Sequence, residues 1–122
     1  MYGWMIYPKD TLNNKFGNNA FGWMKDSASK NGISVDIVFS DDLIILNDNR
    51  KTEFIHEGKA LGFPDFVIMR DYNYTISMML EDLGIRVINS TRSMFNSRNK
   101  ALTAWILVKN NVSTPKFLYS KE

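Results

Sequence analysis

The chain has 122 residues, the size of one domain, and its 15 Lys and Arg against 13 Asp and Glu leave a formal net charge of only +2. That small charge disfavours a general nucleic-acid-binding surface, which needs concentrated basic residues. The absence of cysteine excludes disulfides, thiolate zinc sites and a cysteine nucleophile, and it suits a cytoplasmic location. No apolar run of ~20 residues and no signal peptide are found.

The first half of the chain predicts two strands around a helix, followed by a less regular region. The strands are short apolar runs, and the helix has apolar residues on one face and ends at Asn31-Gly32. Two further apolar runs flank a polar turn and indicate either a hairpin or a strand with a turn. In chain order these are strand 3–7, helix 18–30, strand 33–39 and the flanking runs 43–46 and 52–55.

The second half predicts alternating strands and helices. Phe66-Val67-Ile68-Met69 is a continuous apolar strand, and Ile76, Met79, Leu80 and Leu83 form the apolar stripe of a helix. The predicted elements are strand 66–69, helix 75–83, strand 85–88, helices 91–96 and 98–110, and an extended segment at 116–119. We expect Trp4, Trp23 and Trp105 to be packing residues.

This alternation with short turns favours an open, three-layer α/β fold with a mostly parallel sheet. The middle of the chain can add a β-hairpin to it. In such sheets, ligands meet the loops at the carboxyl ends of the strands. The corresponding loops are 7–15, 70–73 and 89–93. Loop 7–15 contains no glycine, so a dinucleotide site of the usual kind is not expected there.

The segment from Asp65 to Lys116 carries a family resemblance. An apolar strand ends in Arg70, and Gly84-Ile85-Arg86-Val87-Ile88-Asn89-Ser90 follows after a helix. Next come Arg98-Asn99-Lys100, an apolar helix, and Val112-Ser113-Thr114-Pro115. This order resembles the end of the N-terminal pre-ATP-grasp domain in ATP-grasp ligases of the ribosomal protein S6 glutamate ligase type.

The resemblance implies a Rossmann- or flavodoxin-like domain and an activity in the full-length protein. Ligases of this type use ATP and Mg²⁺ to phosphorylate a carboxylate, and an amine then attacks to form an amide or peptide bond. We therefore expect residues 1–122 to be one domain of a longer chain, with 112–122 beginning a linker to an ATP-grasp domain. Alone, the domain should be inactive and need no cofactor.

The same resemblance implies three site residues. Lys100 is similar to the lysine that reaches the ATP phosphates, although Asn99 replaces the aspartate that usually precedes it. Arg70 is expected to bind substrate, because guanidinium groups recognise carboxylates. Asn89, which follows the next strand, is expected to bind substrate through hydrogen bonds. Each has a structural alternative: Lys100 as a solvated lysine, Arg70 in an ion pair with Asp71 or Asp65, and Asn89, like Ser90, as a helix cap.

Other functional classes and partners remain open from the sequence. A stand-alone flavodoxin-like binding or signalling module is the main alternative, although Arg70-Asp71 is a poor match to a phosphoacceptor site. The single histidine, His56, excludes a histidine-rich metal site, and Asp41-Asp42 is interpreted as a solvated turn. The apolar helix 98–110 is expected to expose a surface for the ATP-grasp domain, which can also drive homodimerisation. No membrane or nucleic-acid partner is expected.

Overall fold

The computed structural model describes residues 1–13 and 15–121, with the side chains of 15–18 also outside the description. The predicted loop 7–15 and linker 112–122 therefore each contain one residue that is not described, Asn14 and Glu122. The α-helices and β-strands, in chain order, are β1 (Tyr2–Tyr7), α1 (Lys15–Lys30), β2 (Ser34–Phe39), β3 (Leu43–Asn47), β4 (Thr52–His56), β5 (Lys59–Leu61), β6 (Phe66–Met69), α2 (Tyr74–Asp82), β7 (Arg86–Ile88), α3 (Thr91–Arg98) and α4 (Lys100–Lys109). Short 3-10 helices lie at Lys9–Asn13 and Ser40–Asp42.

The chain is a mixed α/β protein built on a four-stranded parallel sheet. Its strand order is β2-β1-β6-β7, so β1 has β2 on one side and β6 on the other. All four strands were predicted, and the bounds of β6 agree with the prediction. β1 is apolar along its whole buried length because both of its faces are covered, as parallel sheets require.

The core lies around β1 and the helix that follows β6. Trp4 and Ile6 of β1 are fully buried, and Ile76 and Leu80 of α2 pack into the same cluster. The i, i+4 spacing of these two α2 residues places them on one buried face. The other two members of the predicted stripe, Met79 and Leu83, are exposed, so half of that prediction is confirmed. Asn73 begins α2 by accepting a hydrogen bond from the backbone N–H of Ile76 at 3.1 Å.

The middle of the chain forms a separate antiparallel sheet in the order β3-β4-β5. The predicted hairpin is therefore confirmed, with Asp48 Oδ1 accepting the backbone N–H groups of Arg50 and Lys51 in its turn. The third strand, β5, was not predicted. It follows a two-residue turn in which Glu57 and Gly58 both have positive φ, at 49° and 76°, as the tightest hairpin turns require.

The C-terminal third differs from the prediction in three ways. Lys116–Tyr119 is in no strand. The two helices are separated by Asn99 alone, which ends α3 and begins α4. Trp105 is 59% exposed, so its predicted packing role is wrong in this chain, as it is for Trp23 at 74%. No helix in the described ranges combines the length and apolar character needed to cross a membrane.

A close contact between β1 and β6 explains why residue 3 is glycine. A Cβ at Gly3 would lie 2.6 Å from Cε1 and Cε2 of the Phe66 ring. We predict that Gly3→Ala lowers the free energy of unfolding by about 1–3 kcal/mol, because the ring must leave its position. Chemical denaturation followed by circular dichroism measures this change.

Gly22→Ala is the matched control for that experiment. A Cβ at Gly22, in α1, meets nothing within 4 Å. Alanine should therefore stabilise the helix by about 0.5–1 kcal/mol, the opposite sign. Equal effects of the two substitutions would contradict the role assigned to the Phe66 contact.

Candidate functional site

The carboxyl ends of β1, β6 and β7 form one edge of the parallel sheet. Tyr7 is the last residue of β1, Arg70 follows β6, and Asn89 follows β7. The chain passes to opposite sides of β1 on going to β2 and to β6. In open α/β sheets this reversal leaves a crevice outside the strand ends, which is where ligands bind.

A cavity of about 340 Å³ lies at this edge, within the size range of small-molecule sites. Arg70 and Asn89 both contribute to its wall, so the structure brings together two of the three predicted site residues. The cavity wall also has one carboxylate, three hydroxyl groups and two buried methionines. Its wall consists of Met69, Arg70, Asp71, Tyr72, Asn89, Ser93, Met94 and Ser97.

Arg70 is held by β1 rather than by an acidic partner. Its backbone N–H donates to the Ile6 carbonyl at 2.8 Å. Burial raises the pKa of the Tyr7 phenol, and the Arg70 guanidinium, acting as a charge and as a hydrogen-bond donor, offsets part of that rise. The guanidinium is therefore placed beside Tyr7 with its residue still exposed to the cavity.

The two acidic neighbours proposed as ion-pair partners of Arg70 bond elsewhere. Asp65 Oδ2 accepts the backbone N–H of Tyr2 at 2.8 Å, and Asp71 Oδ1 accepts the backbone N–H of Tyr72 at 2.6 Å. Neither forms an ion pair with Arg70 within the described residues. Arg70 is therefore available to bind an anion in the cavity.

Helix capping falls to Ser90, which leaves Asn89 to the cavity. Ser90 Oγ accepts the backbone N–H of Ser93 at 3.2 Å at the start of α3. The next residue is also fixed, because Thr91 N–H donates to Glu81 Oε1 at 2.9 Å. Asn89 is exposed and its peptide bond with Ile88 is cis. Ser90 is therefore the residue that caps α3, and the side-chain amide of Asn89 is not used for capping.

One side of the cavity carries a contact that the sequence analysis missed. The Arg98 guanidinium carbon lies 3.4 Å from the centroid of the Tyr72 ring, a cation–π contact. It joins the last turn of α3 to the loop after β6 and places a second positive charge near the wall that contains Arg70. A basic residue at the end of an exposed helix gave no sequence signal for this contact.

Lys100 lies apart from the Arg70 cavity. It is the first residue of α4 and is exposed, in a wide cleft that also contains Tyr74, Phe95 and Arg98. Asn99 Oδ1 accepts the backbone N–H of Leu102 at 3.0 Å and caps α4. The structure therefore gives Lys100 access to a ligand but does not bring it into the cavity with Arg70 and Asn89.

Asp42, His56 and Glu57 place one potential metal-ligand atom each within 4.8 Å of one another. The chemistry of these groups does not suit a metal ion. Phe39 N–H donates to His56 Nε2 at 2.9 Å, which uses that lone pair and assigns the ring proton to Nδ1. The Lys9 ammonium nitrogen lies 2.7 Å from Asp42 Oδ2 and supplies the positive charge.

The Asp41-Asp42 pair has a structural role at the start of β3. Asp41 Oδ2 accepts the backbone N–H of Lys9 at 2.6 Å, and Asp42 Oδ1 accepts from the Lys9 ammonium at 3.0 Å. The two carboxylates therefore hold the loop after β1 against the turn after β2. The prediction of a merely solvated turn was incomplete, and the prediction against a shared catalytic role remains.

The last helix, α4, presents an apolar surface. No residue of α4 is buried, although most of its side chains are apolar. Trp105 and Val108 are exposed, and Phe117 and Tyr119 of the following segment border a shallow groove beside Leu102. A helix with apolar residues on all sides is normally covered, so this surface is suited to a partner.

Comparisons with known proteins identify no family for this chain, so its function has to be inferred from the site. No protein-family model matches the chain, and no curated protein matches it either.

Proposed function

We propose that this chain is the N-terminal, substrate-side domain of an ATP-dependent carboxylate–amine ligase of the ATP-grasp superfamily. The observation that carries the proposal is the cavity containing Arg70 and Asn89, because the sequence predicts both as substrate-binding residues and both contribute to its wall. A guanidinium, an amide and hydroxyl groups are donors suited to a carboxylate. The reaction is formation of an amide or peptide bond through an acylphosphate.

The fold assignment is part of the same proposal. We infer that the four-stranded parallel sheet is the centre of an open, three-layer, Rossmann- or flavodoxin-like domain of the pre-ATP-grasp type. The strand order and the βαβ connections through α1 and α2 support this inference. The β3-β4-β5 sheet is then an insertion between β2 and β6.

Within this proposal, Lys100 binds ATP phosphates and a following ATP-grasp domain binds the adenine and Mg²⁺. The exposure of Lys100 in an open cleft supports the first role, since a second domain has to approach it. The uncovered apolar surface of α4, directly after Lys100, supports the second. The Asp42, His56 and Glu57 cluster does not fit Mg²⁺, so the metal ligands belong to the ATP-grasp domain.

The ligase also accounts for the proposed cytoplasmic location and for the small-molecule or peptide substrates. ATP and Mg²⁺ are both available in the cytoplasm, and the lack of cysteine is compatible with it. The alternative of a stand-alone binding or signalling module would use the same cavity. It would require neither ATP nor an amine substrate.

We predict that the full-length protein releases ADP only when a suitable carboxylate and amine are both present. An ADP-release assay over pairs of amino acids and short peptides measures this activity and identifies the pair. Ligand binding without ADP release for every pair would instead favour the binding-module alternative.

The Lys100→Ala variant tests the nucleotide role in the same protein. Loss of one charge-assisted phosphate contact should weaken ATP binding about 10- to 100-fold, measured by calorimetry. Lys109→Ala is the matched control, because Lys109 lies in the last turn of the same helix and is also exposed. Equal affinities of the two variants would remove Lys100 from the nucleotide site.

A further inference from the structure

The outer side of β3 is an unpaired sheet edge. β3 pairs with β4 along its whole length and is the first strand in the order β3-β4-β5. Within residues 1–13 and 15–121, no other strand lies beside it, and its residues form no backbone hydrogen bond outside the sheet. The backbone groups on this side therefore lack a partner within the described chain.

This edge lacks the features that usually prevent strand pairing. Protected edges carry charged residues, proline or a bulge. Residues 43–47 read Leu-Ile-Ile-Leu-Asn, with no charge and no proline. Their pairing with β4 continues without interruption from Leu43 opposite His56 to Asn47 opposite Thr52, so there is no bulge. A regular apolar strand is thus available for another strand.

The two faces of β3 differ in a way that bears on its partner. Leu43 and Ile45 pack against the core, whereas Ile44 and Leu46 point outward and are 51% and 48% exposed. The outward pair lies next to an edge rather than in the middle of a sheet. A partner strand there would cover apolar side chains as well as backbone groups.

We propose that a second copy of this chain pairs its β3 with this β3 in antiparallel orientation, about a two-fold axis at Ile45. This register uses all five residues of the strand, with Leu43 opposite the partner's Asn47. It places Ile44 opposite the partner's Leu46 on the same outward face, so the exposed apolar side chains of both copies meet. The result is one continuous six-stranded sheet with an isologous interface.

Self-complementarity favours a second copy as the occupant, because the two-fold register places each exposed apolar side chain of one copy against one of the other. β3 itself carries no charge. In this register Asp42 lies opposite the partner's Asp48, and the Lys9 ammonium nitrogen, 2.7 Å from Asp42 Oδ2, offsets the repulsion between the two carboxylates. The net charge of +2 adds little repulsion between copies. This pairing goes beyond the proposed ligase and uses no residue of the Arg70 cavity.

Cysteine cross-linking tests the register, because the natural chain contains no cysteine. In the proposed dimer, residue 44 lies opposite residue 46 of its partner at a Cα separation of about 4.5–5.5 Å, within disulfide reach. Like positions lie on a diagonal at about 7–8 Å, beyond that reach. A mixture of Ile44→Cys and Leu46→Cys chains should therefore form mixed disulfide dimers under mild oxidation. Each variant alone should form few, and failure of the mixture to cross-link preferentially would overturn the register.

Sedimentation velocity tests the dimer itself, on chains that keep their fold by circular dichroism. The unmodified chain should show a concentration-dependent dimer, and Ile44→Lys should weaken it at least tenfold by placing a charge against the partner's Leu46. Met78→Lys is the matched control, since Met78 lies on α2 with 53% exposure. A chain that stays monomeric, as expected if β3 receives a strand from another protein, would overturn the proposal. So would a dimer that both lysine variants weaken equally, which would place the interface elsewhere.

Discussion

Replacement of Trp4 by alanine should lower the free energy of unfolding by about 3–5 kcal/mol, the largest change we expect from a single substitution. Trp4 lies in β1, one of the two inner strands of the parallel sheet, and is fully buried. Its ring meets Phe54 of the second sheet edge-on, with 4.9 Å between centroids. Alanine would therefore leave a cavity where the two sheets are in contact.

A hydrogen-bond chain adds to the effect. Trp4 Nε1–H donates to Tyr2 Oη at 3.0 Å, and that hydroxyl donates to Asp36 Oδ2 at 2.8 Å. Together with burial, the bond to Asp36 raises the pKa of Tyr2, since both favour the protonated phenol. Loss of the indole removes one partner from this chain, which adds to the loss of packing.

Urea denaturation followed by circular dichroism measures the Trp4 effect without relying on tryptophan fluorescence. Trp23→Ala is the control, because Trp23 is 74% exposed and its loss should change stability by no more than about 0.5 kcal/mol. If Trp4→Ala does not fold, Trp4→Phe keeps part of the packing and should show a smaller loss. Similar stability of the Trp4→Ala and Trp23→Ala proteins would refute the role assigned to Trp4.

In the proposed full-length ligase, Arg70→Ala should raise the KM for the carboxylate substrate about 10- to 100-fold, the loss expected for one charge-assisted contact. Arg70 is suited to this role because it lies at the strand end beside Tyr7, faces the cavity and has no acidic partner there among the described residues. Arg70→Lys keeps the charge but not the two-pronged geometry and should recover only part of the affinity.

Steady-state kinetics with the carboxylate–amine pair found by the ADP-release assay measure this change. Arg86→Ala is the control, because Arg86 is an exposed arginine at the opposite end of β7 from Asn89. Its removal should leave the KM unchanged. If both substitutions shift the KM equally, Arg70 does not contact the carboxylate.

Much of the parallel sheet was predictable because buried parallel strands are continuously apolar. β6 is Phe66-Val67-Ile68-Met69 between polar residues, so its limits are visible in the sequence. β5 was not visible, since it has only three residues and its turn uses Glu57-Gly58 rather than a common turn pair. Such a strand forms because β4 is already in place to pair with it.

The tryptophans show what periodicity decides and what it leaves open. Phe21 and Trp23 lie about 200° apart on an ideal helix. Phe21 packs on Tyr7, with 4.5 Å between ring centroids, and Trp23 points away from that side. The spacing of the two residues in the sequence therefore predicts that Trp23 is exposed when Phe21 is packed. The spacing does not predict the exposure of Trp105, because α4 is apolar on every side and the burial of Trp105 depends on what packs against the helix.

The candidate site was predictable only where strands position it. Arg70 and Asn89 follow adjacent parallel strands, so their proximity follows from the strand order. Ser93, Ser97 and the Tyr72–Arg98 contact depend on the angle at which α3 packs, which no local pattern specifies. Lys100 belongs to α4, and its separation from the cavity results from the change of chain direction at Asn99.

Asn99 joins α3 to α4 with no loop between them. Its side chain caps only α4, by accepting the backbone N–H of Leu102. The Thr103 hydroxyl reinforces the junction, because its single proton is shared between the carbonyl oxygens of Asn96 and Asn99, at 2.7 and 3.0 Å from Oγ1. The direction of α4 is thus controlled by the torsion angles of a single residue. Any large body attached to α4 would pivot at this point, with Lys100 beside the axis of rotation and therefore displaced least.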